Sequence, residues 1–297
     1  MLTIDPKTAS VPQIHSYLLG AVGPRPIAFA STIDKDGNPN LAPFSFFNIF
    51  SANPPIAVFS PARSGRTNTT KHTYDNIKEV PEVVINIVNY PMVQQMSLAS
   101  TEYPKGVNEF TKAGFTQVKS EIIKPFRVKE SPVQLECKVN QVIELGSNGG
   151  AGNLIICEVL LIHVNEDVLD EKQMIDQKKI DLVARMGGNW YCRAHGEALF
   201  EIAKPLTSIG IGFDAIPESI RKSKFLSGNH LGMLGNTEHL PDETAVNEYK
   251  LMELSELFIK LEKDPIFLEN ELHKHAADLL NQGKVDEAWK TLLAYNG

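Results

Sequence analysis

The feature that most constrains the fold is a rhythm of strand-sized apolar runs broken by turn residues. "PIAFASTI" (26–33) leads into "DKDGNPN", where Asp36-Gly37-Asn38 carries strong turn chemistry. "LAPFSFFNIFS" (41–51) follows and is stopped by Asn53-Pro54-Pro55, and "IAVFS" (56–60) is a third short strand. "EVVINIV" (82–88) is nearly all apolar, the pattern of a strand covered on both faces. "VQLECKVNQVIELG" (133–146) and "NLIICEVLLIHVNEDVL" (153–169) flank "SNGGAG", which reads as a hairpin turn because no helix follows it. Helical pieces, "YDNIKEV" (74–80) and "MVQQMSLAS" (92–100), lie between. About seven short strands joined mostly by turns leave many unpaired edges. A closed or partly closed antiparallel barrel hides them.

After about residue 205 the periodicity changes. Leu251, Leu254, Phe258 and Leu261 recur at helical spacing, as do Leu268, Leu272, Ala276 and Leu279. "NQGK" (281–284) supplies a glycine stop before a further helix, "VDEAWKTLLAY". That pair looks like half of a tetratricopeptide repeat, but a single copy cannot form an array. The division is therefore a barrel domain over 1–205 and a largely helical extension over 206–297.

Composition excludes some partners. A net charge of −7 disfavours nucleic acid or an anionic membrane as the main partner. The longest apolar runs are too short to span a bilayer, and no signal peptide is visible. Cys137, Cys157 and Cys192 form an odd, widely spaced set without a C-x-x-C, which suits a reducing cytoplasm and no cysteine metal site. Eight histidines include His195, His273 and His275, but none has metal-binding spacing. His273 and His275 are two apart and do not share a helical face, so a surface role is expected for them.

Against this acidic background, "SPARSGRTNTTKHTY" (60–74) contains no acid. It holds Arg63, Arg66, Lys71 and His72 among Ser60, Ser64, Thr67, Thr69, Thr70 and Thr73. Thr73 stands where an N-cap to "YDNIKEV" would be, and a helix start favours an anion. The segment reads either as a solvated loop or as a site for one phosphate; the lack of acids to pair its cations favours the anion. There is no G-x-x-x-x-G-K-[ST] and no G-x-G-x-x-G after a strand, so triphosphate machinery is absent from the pattern. In the neighbouring "PFSFFNIFS", alternation puts Phe44, Phe46, Asn48 and Phe50 on one face and Ser45, Phe47 and Ile49 on the other. That strand reads either as barrel core or as a platform for a flat heteroaromatic ring.

"GPRPIAFASTIDKDGNPNLAPFSFFNIFSANPPIAVFS", followed by "KHTYDNI", "VVINIV", "AGF", "SPVQLECKV" and "ARMGGNWY", resembles the flavin reductase-like family of FMN-binding split β-barrels, to which flavoredoxins belong. The resemblance spans roughly residues 10 to 205. It implies a six-stranded Greek-key split barrel, a homodimer, and FMN bound near the dimer interface. Carried over, it assigns ring contacts to Ser45, Phe46, Phe47 and Asn48, with Ser31 and Thr32 on the preceding strand as further candidates. It assigns the phosphate to Lys71 and Thr73, with Ser64, Arg66 and Thr67 on the approach, and it places Arg185 and Tyr191 close to the flavin. His72 departs from the acid that many members carry between that Lys and Thr. The extension beyond the barrel also departs from compact members.

The expected function is electron transfer from NADH or NADPH through FMN to an acceptor that the sequence does not specify. No residue is assigned as a catalytic acid or base, since the chemistry belongs to the cofactor. The rival is a non-catalytic FMN carrier reduced by a partner protein, with the helical arm as its docking surface. Oxidase chemistry of the pyridoxamine-phosphate type fits the "FSFFN" and "PP" pattern less well.

Overall fold

A computed structural model describes residues 1–202 and 209–295. The expected boundary at 205/206 lies outside the described residues. The chain divides into two compact units, Met1–Phe200 and Glu201–Gly297. Among the described residues, no helix is long and apolar enough to cross a membrane.

The first unit opens with helix α1 (Val11–Ala21), none of whose residues is buried. Strands β1 (Ala28–Ile33), β2 (Pro39–Phe44), β3 (Phe47–Ala52) and β4 (Pro55–Phe59) follow. Then come α2 (His72–Glu79), β5 (Glu82–Ile87), α3 (Val93–Leu98) and α4 (Glu109–Ala113). A small pair, β6 (Gln117–Val118) and β7 (Arg127–Val128), precedes the long hairpin of β8 (Val133–Glu144) and β9 (Asn153–Val164). A last hairpin joins β10 (Val183–Arg185) to β11 (Tyr191–Arg193).

Seven strands form one antiparallel sheet in the order β2-β1-β5-β8-β9-β4-β3. Its two edges, β2 and β3, are consecutive in the chain, so the sheet is a barrel split between them. The strand count is seven, not the six implied by the resemblance, because "LAPFSFFNIFS" is not one strand. It breaks at Ser45-Phe46, and its halves go to opposite edges. The facial alternation expected along it therefore does not hold. Phe44 and Phe47 both pack on the same core, while Ile49 and Phe50 are exposed. Phe50 is also the extra residue of a bulge in the β3–β4 ladder.

Burial on both sheet faces explains the continuous apolar runs. Ala28 and Ala30 of β1 face one cluster with Phe59, Val83, Ile85 and Ile155. Phe29 between them faces a second, with Leu41, Met92, Met96 and Phe110. Asn86 is fully buried in β5, where its amide donates to Phe29 O (2.9 Å) and accepts from the Val128 N–H (2.9 Å). It ties β1 and β7 to β5 at a point where a hydrocarbon would leave two backbone groups unpaired.

The second unit is helical: α5 (Glu218–Arg221), α6 (Gly228–Gly235), α7 (Glu243–Glu253), α8 (Ser255–Leu261), α9 (Pro265–Asn281) and α10 (Val285–Leu293). Gly283, at φ +76°, turns α9 into α10 as the "NQGK" stop requires. The periodic Leu254, Leu268, Leu272, Ala276 and Leu279 are buried, but Leu251 is exposed. His273 is not at the surface: it is buried among these residues, which pushes its imidazole pKa down, whereas His275 is exposed.

Candidate functional site

The acid-free segment is a shaped loop. Ser64 N–H donates to Thr69 O (2.9 Å) and Asn68 N–H to Ser64 O (2.9 Å), closing a tight turn over 64–69. Asn68 takes the left-handed conformation (φ 56°), which Asn tolerates. Arg63 clamps this turn with Nε on Asn68 Oδ1 (2.8 Å) and Nη2 on Asn68 O (2.6 Å), so its cation shapes the loop. Ser60 Oγ accepts from Asn153 N–H (3.0 Å), and Thr70 Oγ1 donates to Asp75 (2.8 Å). Arg63 and Thr70 therefore already donate within the chain, and the Ser60 hydroxyl is held as an acceptor. Ser64 Oγ accepts from Thr67 N–H (3.3 Å), and the Thr67 and Thr69 hydroxyls lie 2.9 Å apart.

The glycine-rich β8–β9 turn supports this loop from behind. Arg63 N–H donates to Ala151 O (2.9 Å) and Gly150 N–H to Arg63 O (3.0 Å). A Cβ on Gly149 would stand 3.0 Å from Ser64 O, and one on Gly152 would stand 2.8 Å from Ser60 Oγ. Both glycines are needed for that close approach.

A cavity of about 210 Å³ opens where Thr69–Thr73 meets Asn40 and Ala42–Phe44 of β2 and the segment Ala99–Tyr103, with Glu109 in its wall. Of the residues assigned from the sequence, Lys71 and Thr73 line it. Thr73 is not the N-cap. The helix starts two residues earlier than expected, at His72 with Lys71 at the cap position, and Thr73 is buried in the first turn, where its hydroxyl accepts from Asn40 Nδ2 (2.9 Å). That bond fixes the helix start against β2. Arg66 and Lys71 both face Glu102, at 3.4 Å and 2.5 Å. The Lys71 hydrogen bond and charge, with Arg66 beyond them, hold the Glu102 carboxyl below its ordinary pKa. The window's own lack of acids thus did not leave its cations unpaired. Glu109 behaves oppositely: burial pushes its carboxyl up, although Leu41 N–H donates to it (3.1 Å).

The remaining assigned residues form two further groups. Ser45 sits at the β2–β3 break with Arg25 Nε 3.4 Å from its hydroxyl. Arg25 is buried, and its guanidinium also donates to Leu19 O (2.8 Å), Val22 O and Met186 O (2.8 Å). Burial, and then the charge of Arg185, lower its pKa. Arg25 joins α1, the Ser45 turn and the β10–β11 hairpin, and sequence reasoning did not single it out. Its signal was a lone cation between prolines at the head of an apolar strand. Phe46 O accepts from Ser60 N–H (2.9 Å), linking the turn to the base of the loop, while Asn48 is exposed and bonds Ile49 N–H (2.8 Å). Ser31 and Thr32 are fully buried in β1; Thr32 Oγ1 accepts from Asn76 (3.2 Å), and Ser31 Oγ has no partner among the described residues.

Arg185 stacks over Tyr191 at 4.6 Å within the last hairpin, and its backbone pairs with that of Arg25. Tyr191 lines a different cavity, of about 200 Å³, with Tyr90, Ser97 and Arg193.

The flavin reductase like domain family matches residues 21–181. Nitrilotriacetate monooxygenase component B from Bacillus cereus is 31% identical with a TM-score of 0.63, over 68% of this chain and 98% of that one. The 2-nitrobenzoate 2-nitroreductase NbaA of Pseudomonas fluorescens is 26% identical with a TM-score of 0.61, over 70% and 100%. A Shewanella frigidimarina protein described as a flavin reductase with a split barrel domain is 26% identical with a TM-score of 0.56, over 67% and 95%. The split seven-stranded sheet, the shaped basic loop and these matches agree: the chain belongs to the flavin reductase-like family, as a split-barrel protein with C-terminal helices and a flavin-linked redox role.

Proposed function

We propose that this chain binds FMN and uses it to pass electrons from NADH or NADPH to an acceptor. The observation that carries this reading is the single cavity in which Lys71 and Thr73 of the basic loop meet Pro43 and Phe44, the end of the strand that turns at Ser45. Lys71 and Thr73 line the same cavity as an aromatic strand end, which suits a phosphorylated flavin. Lys71 and Arg66 supply charge to the phosphate, with the Ser64 and Thr67 hydroxyls and the amides of the α2 first turn beside them. Arg25 Nε lies 3.4 Å from the Ser45 hydroxyl, which supports a fixed turn at Ser45, Phe46, Phe47 and Asn48 as the ring side of the site. Ser31, fully buried in β1 with a hydroxyl that has no partner among the described residues, is the further candidate on the preceding strand. Arg185 and Tyr191 brace each other at the hairpin that Arg25 anchors. Bound FMN supplies the hydride-accepting chemistry; the chain's work is to bind, orient and exclude water.

A homodimer is supported by two apolar surfaces in the first unit. Helix α1 exposes Val11, Tyr17 and Leu18, and edge strand β3 exposes Ile49 and Phe50; a second copy would cover both. The three free thiols suit the cytoplasm. One observation favours the carrier reading: the helical unit exposes Leu251, Met252, Ile259 and Ile266, a surface on which a protein redox partner could dock. The kinship to a monooxygenase component and a nitroreductase supports turnover instead.

An anaerobic absorption spectrum, taken before and after adding NADH and then NADPH, separates these readings. Flavin bands that bleach with a nicotinamide support the enzyme. Bands that persist support the carrier. No bands after incubation with FMN would remove the cofactor assignment.

A further inference from the structure

The charge that would recognise a phosphate is already neutralised from within the chain. Arg63 is spent on Asn68 and Thr70 on Asp75, which leaves Arg66 and Lys71 as the loop's outward cations. Both converge on the Glu102 carboxylate, with Lys71 Nζ 2.5 Å from Oε1 and Arg66 Nη2 3.4 Å from Oε2. Glu102 comes from the segment that follows α3, and it lines the same cavity as Lys71 and Thr73. Its side chain is 57% exposed, so it is free to swing into water when displaced.

We propose that Glu102 is a built-in competitor for the flavin phosphate: it occupies Lys71 and Arg66 when the site is empty and sets the affinity for FMN low enough for the flavin to exchange. The proposal rests on the FMN reading above. A phosphate dianion reaching these cations has two routes. It displaces the carboxylate, and the Lys71–Glu102 and Arg66–Glu102 pairs are lost; or it binds beside the carboxylate, and like charges repel across a few ångströms. Either route subtracts from the binding free energy of a phosphorylated flavin. Neither touches riboflavin, which has no phosphate. Glu102 is thus a determinant of how strongly this chain prefers FMN to riboflavin, and of how fast FMN leaves. A carrier that must hold its flavin through many redox cycles gains nothing from such a competitor. A reductase that hands reduced flavin to another protein does.

Glu102→Gln removes the charge and keeps the size. Flavin fluorescence titrations of the full chain with FMN and with riboflavin read the effect, and stopped-flow displacement reads FMN release. Glu102→Gln is expected to tighten FMN about two- to fivefold, chiefly through slower release, with riboflavin unchanged. In a Lys71→Ala background most of that gain should vanish, a coupling that a merely structural role for Glu102 would not produce. FMN affinity that is unchanged or weaker in Glu102→Gln overturns the proposal, and so does an equal change for both flavins. If neither wild type nor variant binds FMN while both remain folded, the FMN reading itself fails and the competitor falls with it.

Discussion

Lys71→Ala tests the assignment of the loop as a phosphate site, and its size can be worked from the pairings. A charge-assisted hydrogen bond to a phosphate contributes about 1.5–3 kcal/mol net. To make it, Lys71 must give up its bond to Glu102 (2.5 Å), a pair more than half exposed on the carboxylate side. Exposed pairs of that kind contribute about 0.2–1 kcal/mol. The difference, about 0.5–2.8 kcal/mol, corresponds to a loss of FMN affinity of about 2- to 100-fold. Riboflavin should bind equally well to wild type and variant, because Lys71 is assigned to the phosphate alone. The assay is a pair of fluorescence titrations at low and high salt, since screening weakens only the charge-dependent part. Equal losses for both flavins would refute the reasoning, and so would a loss for FMN that salt does not diminish.

Three further outcomes follow from the structure. Asn86→Ala leaves Phe29 O and Val128 N–H unpaired in the barrel core; at about 1–3 kcal/mol for each orphaned group, it should lower stability by about 2–6 kcal/mol in urea unfolding. Gly149→Ala brings a Cβ to 3.0 Å from Ser64 O, so it should push the loop forward and weaken FMN severalfold while riboflavin binding holds; unchanged FMN binding would mean the turn does not position the loop. Burial raises the Glu109 pKa, so wild type forgoes stability as pH rises through that raised value. Glu109→Gln should therefore melt higher than wild type at neutral pH, with the advantage vanishing in acid, where both side chains are neutral.

Much of the barrel could be read because local signals and tertiary demands agree. Asp36-Gly37-Asn38 and the "SNGGAG" turn mark hairpins, and β5 is apolar on both faces because both faces are covered. The break at Ser45-Phe46 could not be read. "LAPFSFFNIFS" has no proline or glycine between Phe44 and Ser51, so nothing local stops a single strand. The break is held by partners distant in sequence: Arg25 on the Ser45 hydroxyl and Ser60 N–H on Phe46 O. His273 is the opposite case. Its neighbours one turn on, Ala276 and Ala277, are buried with it, so the period that placed Ala276 in the core also places His273 there. The spacing of three to Ala276, not the spacing of two to His275, decides the face on which His273 lies.

The site was legible in its cations and illegible in its electrostatics, for one physical reason. A run of basic and hydroxyl residues is a local property, visible in any window that contains it. Whether that run is a net positive surface depends on which acids fold against it, and those need no sequence proximity. Glu102 lies 28 residues past the segment's end, in a stretch with no motif to mark it, yet it pairs with both outward cations. Arg63 shows the same limit within the window, since its guanidinium is consumed by Asn68 five residues on. An acid-free loop in a chain of net charge −7 is therefore not an empty anion site waiting for its ligand. In such a chain, carboxylates are abundant enough that an unpaired cation cluster will recruit one unless the fold prevents it. Here the fold brings in Glu102, on an exposed side chain. On the proposed reading, the selectivity of the loop rests on the contest between the two anions rather than on the loop's charge alone.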